Sequence, residues 1–214
     1  MSGDTGKEIE ALYRRCAGLR RGFQEAALRS VPLPKLREAA ERLGLPVASE
    51  LAQVSEGDLA FAFDLAVYSA PPGRSRAIDR VARPRRAMQD EAALVLDALT
   101  HSWFSVFRSL GPHPEAGLLL EDALLGGEVW VVDEALAEFS GPGAVLAMRL
   151  GRLRGFAMTC GPVVPLDEPI LAGFRQILAE APLPAAEMTA DPRFATLIYQ
   201  RALGFQIEDA FGPG

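Results

Sequence analysis

Six arginines, Arg74, Arg76, Arg80, Arg83, Arg85 and Arg86, fall within thirteen residues that hold one acid, Asp79. Guanidinium groups gathered on a short helix after a Pro-Gly turn can grip phosphates bidentately, whether on a nucleic acid or on a small ligand. The competing reading is a solvated or ion-paired face, because the chain uses 20 Arg against 2 Lys and arginine is simply its ordinary cation. Asp64 is the second candidate. It is a lone carboxylate in an apolar helical run, where leaving it unpaired would be costly. Tyr68, one turn on, or an arginine of the GRSR segment is the expected partner, so that Asp64 and Tyr68 read as structural polar residues tethering the next loop. A catalytic carboxylate with a raised pKa is the alternative.

Glu121, Asp122, Glu128, Asp133 and Glu134 flank a hairpin turned at Gly126 and Gly127. Paired carboxylates there could hold a divalent cation or exchange protons, but nothing in the spacing selects that use over exposed acids that keep strand ends soluble. His101, His113, Cys16 and Cys160 complete the inventory for metal or nucleophilic chemistry. No two have ligand spacing and no G-x-S-x-G accompanies them, so no metal site is expected and Cys160 reads as a small core residue. Neither G-x-G-x-x-G nor G-x-x-x-x-G-K occurs, and no cofactor is implied. Trp103 and Trp130 read as core residues before they read as a stacking platform.

The elements that must position these residues change character along the chain. Ile9, Leu12, Tyr13, Cys16, Leu19 and Phe23 recur at three and four, which predicts a helix from about Gly6 to Arg29. Pro32 and Pro34 break it and open a second helix that Gly44 and Pro46 end. A third helix, opened by Ser55, has almost no polar face and should lie centrally. The basic segment should be a short surface helix stopped before Pro84, and a further helix through Leu94 and Leu99 runs into the first strand. Between Trp103 and Pro165 the runs WFSVF, GLLL, EVWVV, AVLAM and GFAM are strand-length and separated by Gly and Pro, which predicts a small antiparallel barrel-like sheet. Helical spacing returns over residues 168–181 and again near Pro192 to Leu203.

The expectation is an α+β fold with a helical part over residues 1–101, a barrel-like part over 102–166 and C-terminal helices over 167–214. The longest stretch without a charge, Gly155 to Leu166, is well short of the roughly 18 residues of a membrane span. No apolar region follows a basic start in MSGDTGKEIE, so no signal peptide is expected, and two distant cysteines fit a reducing cytoplasm. Charge is uneven: residues 1–110 carry 16 Lys and Arg against 14 Asp and Glu, and the rest 6 against 14. An acidic whole argues against a general nucleic-acid coat but permits a local basic contact.

FAFDLAVYSAPPGRSRAIDR, then HSWFSVFRS, EAGLLLEDALLGGEVWVVDEAL, GPGAVLAMRL and GFAMTCG together resemble an uncharacterised bacterial module, over roughly residues 55 to 181. Some proteins with that module also carry a zinc-binding motif like the SecA C-terminal tail, and the closely spaced Cys and His of that motif are absent here. The resemblance implies a helical part plus a small β-barrel and brings no catalytic residues. The expected function is a non-enzymatic interaction module with a protein or nucleic-acid partner. The alternative is a small-molecule enzyme or ligand binder using Asp64, the arginines of 74–86 and the hairpin carboxylates around one pocket; a deep pocket where all of these converge would favour it, and a flat basic face or an exposed apolar patch would favour the module.

Overall fold

The computed structural model describes residues 2–46, 54–71, 73–85 and 90–204. The fold is α+β, with helices before and after a five-stranded sheet. Helix α1 (Ser2–Arg29) begins earlier than its apolar spacing requires and buries Tyr13, Cys16 and Ala27. Helix α2 (Leu33–Arg42) carries Pro34 as its second residue, where the ring fits a first turn. Ser55 caps α3 (Glu56–Tyr68) by accepting from the Asp58 amide at 3.1 Å. With buried residues from Ala62 to Tyr68, α3 touches α1, α2, α4, α9 and β5 and is the central helix. The arginine segment forms α4 (Ala77–Ala82), which ends before Pro84 as expected and is followed by a 3-10 turn, Arg83–Arg85. Asp90 caps α5 (Glu91–Thr100), which leads into the sheet.

The strands are β1 (Trp103–Pro112), β2 (Leu118–Asp122), β3 (Glu128–Val131), β4 (Val145–Arg152) and β5 (Ala157–Leu166). Helix α6 (Glu134–Phe139) crosses between β3 and β4. It starts where Asp133 accepts from the Leu136 amide at 3.0 Å, and no apolar periodicity announced it. Strand β1 pairs with both β2 and β4, and the ring β1-β2-β3-β5-β4 closes the sheet on itself. One feature corrects the all-antiparallel expectation: β3 and β5 run parallel, meeting at Val131 and Ala157. A closed ring of five strands cannot alternate direction all the way round, so one neighbouring pair must be parallel. Helices α7 (Glu168–Glu180), α8 (Ala185–Ala190) and α9 (Pro192–Ala202) close the chain, α8 being the one that the proline-rich stretch around residue 184 concealed.

The sheet is buried on two sides. Phe107, Leu120, Val131, Leu146, Met148 and Leu150 form one apolar cluster among the strands. Phe104, Val106, Ala147 and Val164 pack instead under Leu65 of α3, Leu171 of α7 and Ile198 and Tyr199 of α9. Met158 and Cys160 of β5 complete a third cluster with Tyr13, Cys16, Ile78 and Leu99. Helices therefore clothe the outside of the ring, and α3 takes part in both outer clusters. Among the described residues no helix is long and apolar enough to cross a membrane.

Candidate functional site

Asp64 of α3 faces β4 and β5, and its side chain is 1 % exposed. Arg149 of β4 grips it in a fork, Nε donating to Oδ1 at 3.0 Å and Nη2 to Oδ2 at 2.9 Å. The Tyr199 hydroxyl of α9 donates to Oδ2 at 3.0 Å. The expected partners were different. Tyr68 turns its hydroxyl to Gln24, accepting from Nε2 at 3.0 Å, and offers its ring to Arg149, whose guanidinium carbon lies 4.4 Å from the ring centre. No arginine of the GRSR segment reaches Asp64. Burial alone would pull the Arg149 guanidinium down, but the charge and hydrogen bonds of Asp64 outweigh it and hold the group above the ordinary arginine value. Burial, then the neighbouring Asp64, pushes the Tyr199 hydroxyl well up.

The fork uses two of the three guanidinium nitrogens of Arg149. Nη1 has no hydrogen-bond partner among the described residues, and it is not one of the fully enclosed unpaired atoms. Its side chain keeps 10 % of its surface, and Arg149 lines a cleft of ≈ 550 Å³. The end of α3, residues 69–71 and Gly73, the start of β1 and the junction of α8 with α9 form its walls. Arg74 and Arg76 line the same cleft, as do Leu65, Phe104, Leu125 and Ala195. Arg76 binds Asp79 through Nε and Nη2 at 2.9 and 2.7 Å and the Thr100 carbonyl at 2.5 Å. Burial opposes the Asp79 charge, but these contacts hold its carboxyl below the usual range. Arg74 is exposed and has no acid partner among the described residues.

The other arginines go elsewhere. Arg80 donates to the Ser75 carbonyl at 2.9 Å and Arg83 to the Ser75 hydroxyl at 3.3 Å, both from exposed positions outside the cleft. Arg86 lies outside the described residues, as does the side chain of Arg85.

The hairpin acids do not converge on this cleft. Asp122 accepts from Trp103 Nε1 at 3.1 Å, the Ser105 hydroxyl at 2.6 Å and the Leu125 amide at 3.0 Å, and so ties the turn to β1. Asp133 caps α6 and accepts from the Thr159 hydroxyl, while Glu134 pairs with Arg14 at 2.6 Å. Glu121 is partly exposed and Glu128 exposed. His113 stacks on Trp130 with centres 3.9 Å apart, and His101 meets Asp97 at the surface. Among the described residues no three His, Cys, Asp or Glu side chains gather as metal ligands. Both cysteines are free and buried, and burial pushes the Cys160 thiol up to about 12, so neither is poised as a nucleophile.

Sequence reasoning missed Arg149 and Tyr199. A signal for Arg149 existed, a lone cation inside the apolar run AVLAMRL; none existed for Tyr199, one residue of an amphipathic helix. In comparisons with known proteins, a model described as a family of unknown function (DUF7986) matches residues 15–170. No curated protein and no solved structure matches.

Proposed function

The chain belongs to that family of unknown function, and we propose that it is a ligand-binding module whose cleft takes a small anionic molecule. One observation carries this reading. Arg149 is buried and held by Asp64, which Tyr199 in turn secures, yet its Nη1 has no partner among the described residues and it lines a cleft that Arg74, likewise without an acid partner among them, also lines. A cation held rigidly before the ligand arrives loses little freedom on binding, and its low-dielectric setting strengthens the contact. The cleft volume lies in the ordinary range for small-molecule sites. Two free thiols buried in one apolar cluster fit a reducing, cytoplasmic setting. The resemblance to the module that accompanies SecA-tail-like zinc motifs fits a binding role and adds no chemistry to it.

The test is a thermal-shift titration of the whole chain with inorganic phosphate, citrate and pentanoate. A ligand that binds only the folded state raises the melting temperature with concentration, and Arg74→Gln should reduce that rise. No shift with any anion would overturn the reading. A second reading, a contact with a polyanion such as nucleic acid, is favoured by Arg80 and Arg83, which are exposed and, among the described residues, bonded to neutral groups. A fluorescence-anisotropy titration at low salt would show it as binding that weakens steeply with salt and with Arg83→Gln.

A further inference from the structure

We infer that the anion is a phosphate monoester rather than a carboxylate. The inference rests on the anion-binding reading and deepens it. Three guanidinium groups line the cleft from separate elements, Arg74 in the turn after α3, Arg76 at the start of α4 and Arg149 on β4. Each offers N–H groups that no described residue takes up: Nη1 of Arg149, Nη1 of Arg76 and the whole head of Arg74. A carboxylate is planar, and its two oxygens accept along directions lying close to one plane. A phosphoryl group presents three terminal oxygens in three directions and carries close to two charges at neutral pH. Three donors from three elements match the second shape better than the first.

The carboxylates in the cleft do not spoil this balance. Asp79 is paired with Arg76, and Asp191 with Arg193 at 2.6 Å. Partner hydrogen bonds hold the Asp191 carboxyl below its usual range, and the contacts of Arg76 do so for Asp79 against the pull of burial. Both therefore stay ionised between pH 5.5 and 7.5. Burial pushes the Tyr68 hydroxyl up, so it stays protonated over the same range, and Asp64 is enclosed behind Arg149. No histidine lines the cleft. Over that interval the group that titrates is the ligand's own, with a second phosphate pKa near 6. The apolar walls of Leu65, Phe104, Leu125 and Ala195 suit a short organic remainder on the ester oxygen.

The experiment is isothermal titration of the whole chain with butyl phosphate and with pentanoate, which share a four-carbon tail and differ in the head group. At pH 7.5 butyl phosphate should bind at least about tenfold more tightly, and its affinity should fall several-fold at pH 5.5 as the monoanion forms. Arg74→Gln and Arg76→Gln should each weaken butyl phosphate more than pentanoate. Arg74 is exposed and Arg76 half-buried, so the first variant stands even where the second disturbs α4. Equal affinity for the two ligands, or a butyl phosphate affinity unchanged between the two pH values, would overturn the phosphate assignment and leave anion binding intact. Binding of neither ligand would overturn both.

Discussion

At the scale of single residues, the fork between Arg149 and Asp64 is the most deeply buried ion pair among the described residues. A buried ion pair offsets its desolvation only when both partners and their hydrogen bonds are present, and removing one strands the other. Asp64→Ala should therefore cost about 3–5 kcal/mol, because Arg149 and the Tyr199 hydroxyl both lose their acceptor. For a chain of this size the melting temperature should drop by more than roughly 6 °C. Asp64→Leu with Arg149→Met removes both charges and should recover part of the loss, and a double variant as unstable as the sum of its singles would contradict the pairing. Gly161 offers a steric check on the same carboxylate. A Cβ there would lie 2.5 Å from Asp64 Oδ1, an atom that the fork prevents from moving aside. Gly161→Ala should cost about 1–3 kcal/mol in chemical denaturation. Gly173→Ala, on α7 with nothing within 4 Å, should instead be neutral or stabilising by about 0.5–1 kcal/mol, since it only raises helix propensity. Asp64 was legible as a residue needing a partner because its helix has no polar face; the partner was not, because Arg149 lies 85 positions away and only the packing of α3 on β4 unites them.

At the scale of elements, legibility followed periodicity. The spacing of Ile9, Tyr13, Cys16 and Phe23 gave α1, and short apolar runs between Gly and Pro gave the strands. Helices α6 and α8 have six residues each, less than two turns and too short for a periodic signal; α6 starts on the Asp133 cap and α8 follows Pro184 with no side-chain cap. The runs pointed to a barrel-like sheet but not to its parallel seam, since that pairing depends on α6 carrying the chain across so that β4 lies beside β1 and β5 beside β3. The parallel seam should be the weak point of the sheet. Its register is the single pair Val131 and Ala157, with the Val132 amide donating to the Ala157 carbonyl at 2.9 Å, whereas β1 and β4 share six registered pairs. In native-state hydrogen exchange the Val132 amide should exchange faster than those of Val106 and Ala147. Equal protection across the two seams would show that the clusters outside the ring, rather than strand pairing, limit local opening.

At the scale of the whole molecule, the helices outside the ring bring phenols and thiols into surroundings that disfavour their ionised forms. Burial pushes the Cys160 thiol and, with help from Asp133, the Tyr13 hydroxyl up to about 12. Tyr68 and Tyr199 are raised well above their ordinary value of 10.0 by the same cause. Each group binds its proton more tightly folded than unfolded, so its contribution is fully present below the unfolded pKa and is lost as pH rises towards the folded value. The unfolded thiol titrates near 8.5 and the phenol near 10. Stability measured by urea denaturation should accordingly be level up to about pH 8 and fall steeply between about pH 9 and 12, where the unfolded chain sheds these protons and the folded one does not. The thiols give an independent reading of the same burial. Iodoacetamide at pH 8 should leave Cys16 and Cys160 unmodified in the native protein and alkylate both in urea, because the reactive thiolate forms only when the outer cluster opens. Rapid native alkylation, or stability that stays level to pH 11, would mean that this cluster opens far more readily than its packing implies.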